Sequence, residues 1–270
     1  ERACRLAGLE ICLFPCGEES DFVPDMNLLK EFLRDGDLVF LGHPGNPAGS
    51  TPGREAILRL ARENPACVVV VDEAYADFCG NAMSCLPELP DNMLVLRSMT
   101  KFFAIPGLRA GLCFGSEANI RLLRGMLPCW NMNVIAQELS VRMLGNEARE
   151  YRERTVALID EQRAFLAEGL SRLGCKVFSG IANYLLVKCG KIDDGFYDRM
   201  LRHHRIALRN CGNFAGLNQE YFRVAVRSAE ENSRLLEALE MELGGDGRIF
   251  HIGKKPKVPA LMFQGTCSNA

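Results

Sequence analysis

The chain has 270 residues, of which 48% are hydrophobic and 24% are charged, a composition typical of a globular protein with a large core. Its 32 basic and 34 acidic side chains are interspersed and give a net charge of −2, so there is no basic cluster of the kind that nucleic acid or an anionic membrane attracts. We therefore expect a small-molecule ligand, and neither nucleic acid nor a membrane as a partner.

The first part of the chain alternates apolar runs with amphipathic helical patterns. Strands that are apolar on both faces are typical of parallel sheets. This order therefore predicts an α/β fold with a mostly parallel sheet and helices on both faces. The predicted strands lie in the stretches LEICLFP, LVFLGHP, CVVVVDEAY, MLVLRSM and LCFG.

From Trp130 the pattern changes to a long helix and a smaller α+β unit. In the long helix, apolar residues fall on roughly one face: Val156, Ile159, Phe165, Leu166 and Leu170. The short strands that follow are CKVFSG, NYLLVKCG, IALRNC and YFRVAVRS, with a helix, DGFYDRMLRHHR, among them. A closing helix begins at Ser228, which forms a capping-box pattern with Glu231.

These patterns predict four regions. A large domain covers residues 1–145 and a small α+β domain covers residues 146–245. Residues 246–258 are rich in glycine, proline and lysine and are predicted to be a linker. Residues 259–270 have the pattern of an apolar strand that enters a Gly-Thr turn, and we expect the chain to continue into a further domain.

The twelve cysteines are spread along the chain without any Cys-x-x-Cys pair, a pattern that favours reduced, buried thiols over a disulfide framework or a metal site. No apolar stretch approaches the roughly 18 residues that a membrane-spanning helix needs. The sequence opens without the pattern of a signal peptide. We therefore expect a cytoplasmic protein with no metal ligands.

Polar residues follow three of the predicted strands. Asn46 follows the first, Asp72 and Tyr75 follow the second, and Ser98 and Lys101 follow the third. The separations of 26 and 29 residues are close to one βαβ unit of roughly 30 residues. Because ligands of parallel α/β sheets bind at the carboxyl ends of the strands, we expect these residues to meet in one pocket.

A lysine and an aspartate in this position suit one cofactor. In apolar surroundings a lysine loses its proton more easily, and the neutral amine can form an imine with an aldehyde. Pyridoxal phosphate is the aldehyde cofactor used in this way, and it takes an acid on its ring nitrogen. We predict that Lys101 forms the imine and that Asp72 is the acid.

Four other residues suit the rest of that cofactor. Asn46 and Tyr75 can donate to the phenolate oxygen of the ring, while Ser98 and Arg109 suit the phosphate. Taken singly, each motif has an ordinary explanation, since Asp72 could cap a turn and Arg109 could form a surface ion pair. Their order and spacing together favour the cofactor site.

With the motifs N-P-x-G, D-E-x-Y and S-x-T-K-x5-G-x-R in this order, the sequence resembles the fold-type-I pyridoxal-phosphate enzymes of the aminotransferase class I/II group. Within that group it is most similar to the threonine-phosphate decarboxylases and to their relatives, the histidinol-phosphate aminotransferases. The stretches that carry this similarity are SMTKFFAIPGLRAG, PCWNMNVIAQ and RNCGNFAGLNQEYFRVAVR. The similarity covers residues 1 to about 245.

The resemblance implies roles for two arginines of the small domain. Arg223 corresponds to the arginine that binds the substrate carboxylate, and Arg209 to one that binds the substrate phosphate. Arg209 and Arg223 could instead be ordinary arginines at strand edges, and Arg227 is an alternative to Arg223. The implied protein is a homodimer that binds a phosphorylated amino acid.

The implied reaction is the decarboxylation of L-threonine O-3-phosphate to (R)-1-aminopropan-2-ol phosphate in cobalamin biosynthesis. Two alternatives stay open. One is an aminotransferase of the histidinol-phosphate type, and the other is a non-catalytic part of a fused polypeptide.

Three departures from the family pattern carry further expectations. The loop reads GHPGNPAG, so His43 and Gly45 are expected to alter its contacts. The early segment that supplies a glycine-rich phosphate turn and a stacking aromatic ring is expected to be missing, with weak cofactor binding as the result. The tail resembles the start of cobyric acid synthase, which implies a fusion of two enzymes.

Overall fold

The structure, a computed structural model, describes residues 2–80 and 83–244. The predicted linker at residues 246–258 and the predicted further domain at residues 259–270 lie outside the described residues. Within the described part, the strands form two four-stranded sheets, called here the large sheet and the small sheet. None of the helices described is both long and apolar enough to cross a membrane.

The α-helices of the described part are α1 (Arg2–Leu6), α2 (Met26–Phe32), α3 (Arg54–Glu63), α4 (Met99–Phe102), α5 (Glu117–Met126), α6 (Val134–Leu144), α7 (Arg149–Arg172), α8 (Phe196–Arg202) and α9 (Ala229–Leu243). The large sheet contains β1 (Leu38–Gly42), β2 (Val68–Asp72), β3 (Met93–Ser98) and β4 (Gly111–Gly115). The small sheet contains β5 (Lys176–Val177), β6 (Tyr184–Lys188), β7 (Arg209–Asn210) and β8 (Tyr221–Ala225).

The large sheet is mostly parallel, as predicted. Its strands lie in the order β1-β2-β3-β4, where β1, β2 and β3 run parallel and β4 is antiparallel to β3. The predicted strand LEICLFP is wrong, because residues 9–15 form no strand in the structure. Its apolar residues are instead largely exposed, and two of them, Leu9 and Leu13, are 48% and 59% exposed.

The two faces of the large sheet differ in how they are covered. Helices α2 and α3 pack on one face, where residues such as Ile57 and Val95 are completely buried. On the opposite face, Ile120 of α5 lies close to Gly115 at the β4 edge. Phe40 of β1, on that same face, is 59% exposed. The predicted helices on both faces are therefore present, but in the described part the second face is covered at one side only.

The small sheet is antiparallel and lies in the order β5-β6-β8-β7. Alternate residues of its strands point to opposite faces. One face carries Leu185, Val187, Phe222 and Val224, which pack against α7, α8 and α9. The other face carries Tyr184 and the arginines of β7 and β8. The alternation in YFRVAVR therefore separates a packing face from a polar face.

Helix α7 confirms the long amphipathic helix expected from the sequence. Its predicted apolar face lies in the core beneath the small sheet, with Ile159, Leu166 and Leu170 buried. The closing helix α9 begins as predicted, because the Ser228 hydroxyl accepts a hydrogen bond from the backbone of Glu231 at 3.3 Å. The same hydroxyl donates to the Glu231 carboxylate.

All eleven cysteines in the described residues are free thiols. Five of them are buried and three are exposed, so the expectation of buried thiols holds for fewer than half. Cys79 is half-buried, and its burial raises the pKa of its thiol to about 12. That thiol is therefore protonated at neutral pH and serves as a weak hydrogen-bond donor.

Glu18 connects the segment before α2 to the polar face of the small sheet. Its carboxylate accepts from the ammonium groups of Lys176 and Lys188 at 2.8 and 2.9 Å, and from the Tyr221 hydroxyl at 2.5 Å. These bonds, chiefly the one from Lys176 and then that from Tyr221, lower the pKa of Glu18 from 4.5 to about 2. A carboxyl group whose pKa falls on folding stabilises the folded state above its unfolded pKa.

We expect Glu18→Gln to change how stability depends on pH. In the unchanged protein, the contribution of Glu18 is fully present above pH 4.5 and is lost as the pH falls towards about 2. Urea unfolding across this range should show a large stability difference between protein and variant at pH 6 that narrows at lower pH. Glu19→Gln is the matched control, because Glu19 has no ion pair among the described residues. A difference that stays constant with pH would contradict the prediction.

Candidate active site

Lys101 lies just beyond β3, on the exposed side of α4. Its neighbours Met99 and Phe102 are 3% and 2% exposed, and they anchor this short helix in the core. The ammonium donates to the Ser98 hydroxyl at 3.3 Å and lies 5.2 Å from the centre of the Tyr75 ring. The lysine side chain is exposed, so the apolar surroundings predicted for it are wrong. Its amine is therefore open to a ligand.

Ser98 and Arg109, the predicted phosphate ligands, lie at the same end of the β3–β4 hairpin. Ser98 pairs across the ladder with Gly111, two residues after Arg109. Arg109 has a left-handed backbone, with φ of 55°, and its guanidinium donates to the Pro106 carbonyl at 3.0 Å. Within the described residues, no hydrogen bond or ion pair joins Arg109 to Lys101 or Ser98.

Asp72 is the last residue of β2, between β1 and β3, and its side chain is exposed. One carboxylate oxygen accepts from the backbone of Ala74 at 2.9 Å. The Asp72 carbonyl accepts from the backbone of His43 at 2.9 Å, so the loop after β1 starts beside it. Tyr75 follows three residues later and is half-buried. The predicted convergence at the carboxyl ends of the strands therefore holds for β1 and β2.

Glu73, next to Asp72, has a structural position. It is completely buried, and its carboxylate accepts from the Ser84 hydroxyl and the Cys85 backbone, both at 2.7 Å, and from Arg97 at 2.9 Å. A buried charge is costly unless it is paired and hydrogen-bonded, and these partners meet that requirement. Glu73 therefore holds the turn that begins at Asp72.

The loop after β1 carries Asn46 and has two cis peptide bonds, before Pro44 and before Pro47. His43 is buried, and its two ring nitrogens hydrogen-bond to a threonine hydroxyl and to a backbone carbonyl. Burial is the main cause that lowers the pKa of His43, so its ring is neutral near neutral pH. His43 was expected to alter the contacts of this loop, and in the structure its two ring hydrogen bonds hold the loop from inside.

Arg223 reaches this loop from the small sheet. Its Nη1 donates to Oδ1 of Asn46 at 2.5 Å, and its guanidinium carbon lies 4.9 Å from the centre of the Tyr184 ring. Arg227, the alternative candidate, forms an ion pair with Glu231 at 2.7 Å instead. The geometry therefore favours Arg223 over Arg227 as a residue of this site.

Arg209 lies directly opposite Arg223 on the adjacent strand, so both side chains leave the small sheet on the same face. It donates to the Asn213 side chain at 2.8 Å and lies 5.3 Å from the centre of the Phe214 ring. Neither arginine has a carboxylate partner among the residues that the structure describes. Like charges directly opposite each other are destabilising, and a bound anion would relieve that cost.

Tyr184 joins the two halves of the site. Its ring is T-shaped to Tyr75, with centres 4.9 Å apart, and its hydroxyl donates to the Gly45 carbonyl at 2.8 Å. Five of the eight predicted residues therefore lie in one chain of contacts that runs through Tyr184. In order, the residues of this chain are Asn46, Arg223, Tyr184, Tyr75, Lys101 and Ser98.

Sequence analysis did not find Tyr184 or Glu73. An aromatic residue at the start of an apolar strand, as in NYLLVK, is usually a core residue, and Tyr184 is indeed only 3% exposed. Burial raises the pKa of Tyr184, so its hydroxyl stays protonated as a donor. Only the pairing register of β6 and β8 could have indicated that Tyr184 contacts Arg223.

The groups gathered here fit the predicted cofactor. An exposed amine and an exposed carboxylate come from Lys101 and Asp72, as an aldehyde and a ring nitrogen require. Because Oδ1 of Asn46 is occupied by Arg223, its amide nitrogen is left to donate to another acceptor. Tyr75, which contacts Lys101, offers its hydroxyl as a second donor.

Comparison with known proteins shows which family the chain belongs to. The chain is 36% identical over 259 residues to the adenosylcobalamin biosynthesis bifunctional protein CobDQ of Leptospira interrogans, a match that covers 93% of this chain and 30% of the relative. It is 36% identical over 251 residues to threonine-phosphate decarboxylase of Salmonella typhimurium, with 90% and 68% covered. Histidinol-phosphate aminotransferase of Nitratidesulfovibrio vulgaris is 33% identical over 248 residues, with 88% and 64% covered.

Solved structures agree with the sequence matches. The crystal structure of histidinol-phosphate aminotransferase from Clostridium acetobutylicum has a TM-score of 0.83 at 26% identity, over 89% of this chain and 73% of that chain. The chain thus spans between about a third and three quarters of the proteins that it matches. The family model described as aminotransferase class I and II matches residues 1–239. The chain therefore belongs to the aminotransferase class I and II family, as its motifs predicted.

Proposed function

We propose that this protein is a pyridoxal-phosphate-dependent enzyme that decarboxylates L-threonine O-3-phosphate to (R)-1-aminopropan-2-ol phosphate in cobalamin biosynthesis. The observation that carries the proposal is the pair of opposed arginines, Arg209 and Arg223, of which Arg223 belongs to the contact chain that includes Lys101. The names of the two relatives at 36% identity, which refer to cobalamin biosynthesis and to threonine phosphate, support it.

The proposed cofactor is held by residues from three strand ends. Lys101 would hold its aldehyde carbon, and Asp72 would hold a proton on its ring nitrogen. Asn46 and Tyr75 donate to its phenolate oxygen. When bound, pyridoxal phosphate supplies an electron-withdrawing ring that weakens the bonds at the substrate Cα.

Ser98 and Arg109 complete this cofactor site as the proposed ligands of the cofactor phosphate. Both are within reach of solvent at the end of the β3–β4 hairpin. Arg109 has to exchange its hydrogen bond with the Pro106 carbonyl for the phosphate, which a charge-assisted bond favours.

The substrate has two anionic groups and needs two cationic ones. Arg223 is the proposed ligand of the carboxylate, because it is held by Asn46 and Tyr184 next to the proposed cofactor residues. Arg209, on the neighbouring strand, is the proposed ligand of the phosphate. A guanidinium can form paired hydrogen bonds with either group. Binding of the substrate would also remove the repulsion between the two arginines.

Lys101 has a second proposed role, which is proton transfer at the substrate Cα. Decarboxylation breaks the bond between Cα and the carboxylate carbon and releases CO2, and the electron pair left at Cα must then accept a proton. Lys101 in its ammonium form would deliver this proton. The same amine could instead remove a proton from Cα, which is the first step of a transamination. The hydrogen bonds from the two arginines would set the orientation of the substrate relative to the cofactor ring. This orientation decides which bond at Cα breaks.

An aminotransferase that acts on histidinol phosphate is the second candidate. The observation that favours it is the similarity to histidinol-phosphate aminotransferases, at 33% identity in sequence and at a TM-score of 0.83 in structure. These substrates have a phosphate in common, so Arg209 serves either reaction. They differ in the carboxylate, which histidinol phosphate lacks.

Incubation with pyridoxal phosphate followed by borohydride reduction should attach a phosphopyridoxyl group to Lys101. Mass spectrometry of peptides locates the modified lysine, and a titration shows how tightly the cofactor binds. Lys101→Ala should lose the modification, and the control Lys30→Ala should keep it, because Lys30 pairs with Glu63 at the end of α3, before β2 begins, whereas the site lies beyond the ends of the strands. Equal labelling of surface lysines, unaffected by Lys101→Ala, would support the non-catalytic alternative.

A product assay distinguishes the two reactions. With pyridoxal phosphate and L-threonine O-3-phosphate, we expect release of CO2 together with 1-aminopropan-2-ol phosphate. With histidinol phosphate and 2-oxoglutarate, we expect no glutamate. Formation of glutamate without any CO2 would identify the protein as an aminotransferase.

Replacement of either arginine by lysine should weaken substrate capture without loss of the cofactor. Lysine keeps the charge but cannot form the paired bonds of a guanidinium, so Arg209→Lys and Arg223→Lys should each raise KM by about ten- to a hundredfold. Labelling of Lys101 should persist in both variants. Arg227→Lys is the matched control and should behave as the unchanged protein. If KM rises for Arg227→Lys alone, the carboxylate site is at Arg227.

A further inference from the structure

Tyr184 is a buried strand residue whose side chain contacts three residues outside its own strand. It starts β6 on the polar face of the small sheet, and it touches a different element with each part of its side chain. The ring lies under the Arg223 guanidinium at 4.9 Å and against the Tyr75 ring at 4.9 Å. The hydroxyl donates to the Gly45 carbonyl, next to Asn46.

These contacts fix Arg223 from two sides. A guanidinium over an aromatic face is attracted by the electron-rich ring, with a preferred stacking distance. The Asn46 amide oxygen holds the same guanidinium at its Nη1. The Tyr184 hydroxyl also holds the loop that carries Asn46. Tyr184 therefore contacts Arg223 directly through its ring and also keeps Asn46, the other partner of Arg223, in place. Rotation of the Tyr184 side chain would break the ring contact with Arg223 and the hydrogen bond to the loop together.

We propose that Tyr184 is a positioning residue that aims Arg223 at the substrate carboxylate. The inference rests on the proposed function, in which Arg223 is the carboxylate ligand. Its ring holds the guanidinium on one face and packs against Tyr75, the neighbour of Lys101, and its hydroxyl keeps the Asn46 loop against the small sheet. Arg209 has no contact with Tyr184 among the described residues, so binding of the phosphate should not depend on it.

This division between the two anions gives the test. O-phospho-L-serine and O-phosphoethanolamine differ only in the carboxylate, so the ratio of their dissociation constants reports on the carboxylate site alone. Calorimetric titration of the protein that has been loaded with pyridoxal phosphate and then reduced with borohydride measures both constants without turnover, because the reduced cofactor cannot react with the amine of either ligand. Tyr184→Leu removes the ring and the hydroxyl, whereas Tyr184→Phe removes the hydroxyl alone. Tyr197→Phe is the matched control, since Tyr197 also donates to a backbone carbonyl of this domain, that of Gln219 at 2.8 Å.

We expect Tyr184→Leu to reduce the preference for O-phospho-L-serine by about tenfold, because a partly desolvated cation–π contact is lost. Tyr184→Phe should reduce it by about threefold, because one hydrogen bond is lost. Binding of O-phosphoethanolamine and labelling of Lys101 should not change in either, and Tyr197→Phe should leave the ratio unaltered.

Two results are kept apart by this design. If the unchanged protein does not prefer O-phospho-L-serine, the role of Arg223 in the proposed function is wrong. If it does, and any folded Tyr184 variant keeps the same preference, the positioning role of Tyr184 is wrong. A variant that weakens both ligands equally also overturns it, because a general loss of structure would act on both. Should Tyr184→Leu fail to fold, Tyr184→Phe decides alone.

Discussion

The close approach of the loop after β1 to the small sheet is the constraint on which the site depends. A side chain on Gly180 would come within 2.7 Å of the Ala48 carbonyl, so the two backbones can only meet where that residue is glycine. Gly49 has φ of 75°, which also favours glycine, and its carbonyl accepts from the backbone of Ile181 at 3.0 Å. This junction brings the polar face of the small sheet to the strand ends of the large one. The hydrogen bonds of Tyr184 and Arg223 to the loop follow from it.

The small sheet divides its residues by alternation. Its apolar face packs on α7, α8 and α9, and this burial is the main source of its stability. The polar face carries the groups that meet other parts of the chain: Lys188 and Tyr221 hold Glu18, while Arg209 and Arg223 face the site. The division is not complete, because Leu186 and Tyr221 on this second face are buried in a smaller core cluster with Phe178.

The sequence predicted the elements whose signals are local. Four of the five large-sheet strands, the α7 face and the Ser228 cap are seen, because periodicity and capping act within a few residues. LEICLFP failed because an apolar run becomes a strand only where a neighbouring strand pairs with it. The exposure of Lys101 was missed for a related reason: Met99 and Phe102 supply the apolar character of α4 and leave the lysine outside. Tyr184 could not be found, because its role depends on partners distant in sequence.

Asp72 and Glu73 show how one short motif can serve two purposes. The aspartate is exposed at the strand end, whereas the glutamate is wholly enclosed by Ser84, Cys85 and Arg97. Under the proposed function, loss of either would lower activity in a cell, yet by different routes: one leaves a folded protein with an altered cofactor site, and the other lowers the amount of folded protein. A survey of variants that records growth alone would score the two as equivalent. The abundance of each variant, measured alongside, would tell a lesion of chemistry from a lesion of folding.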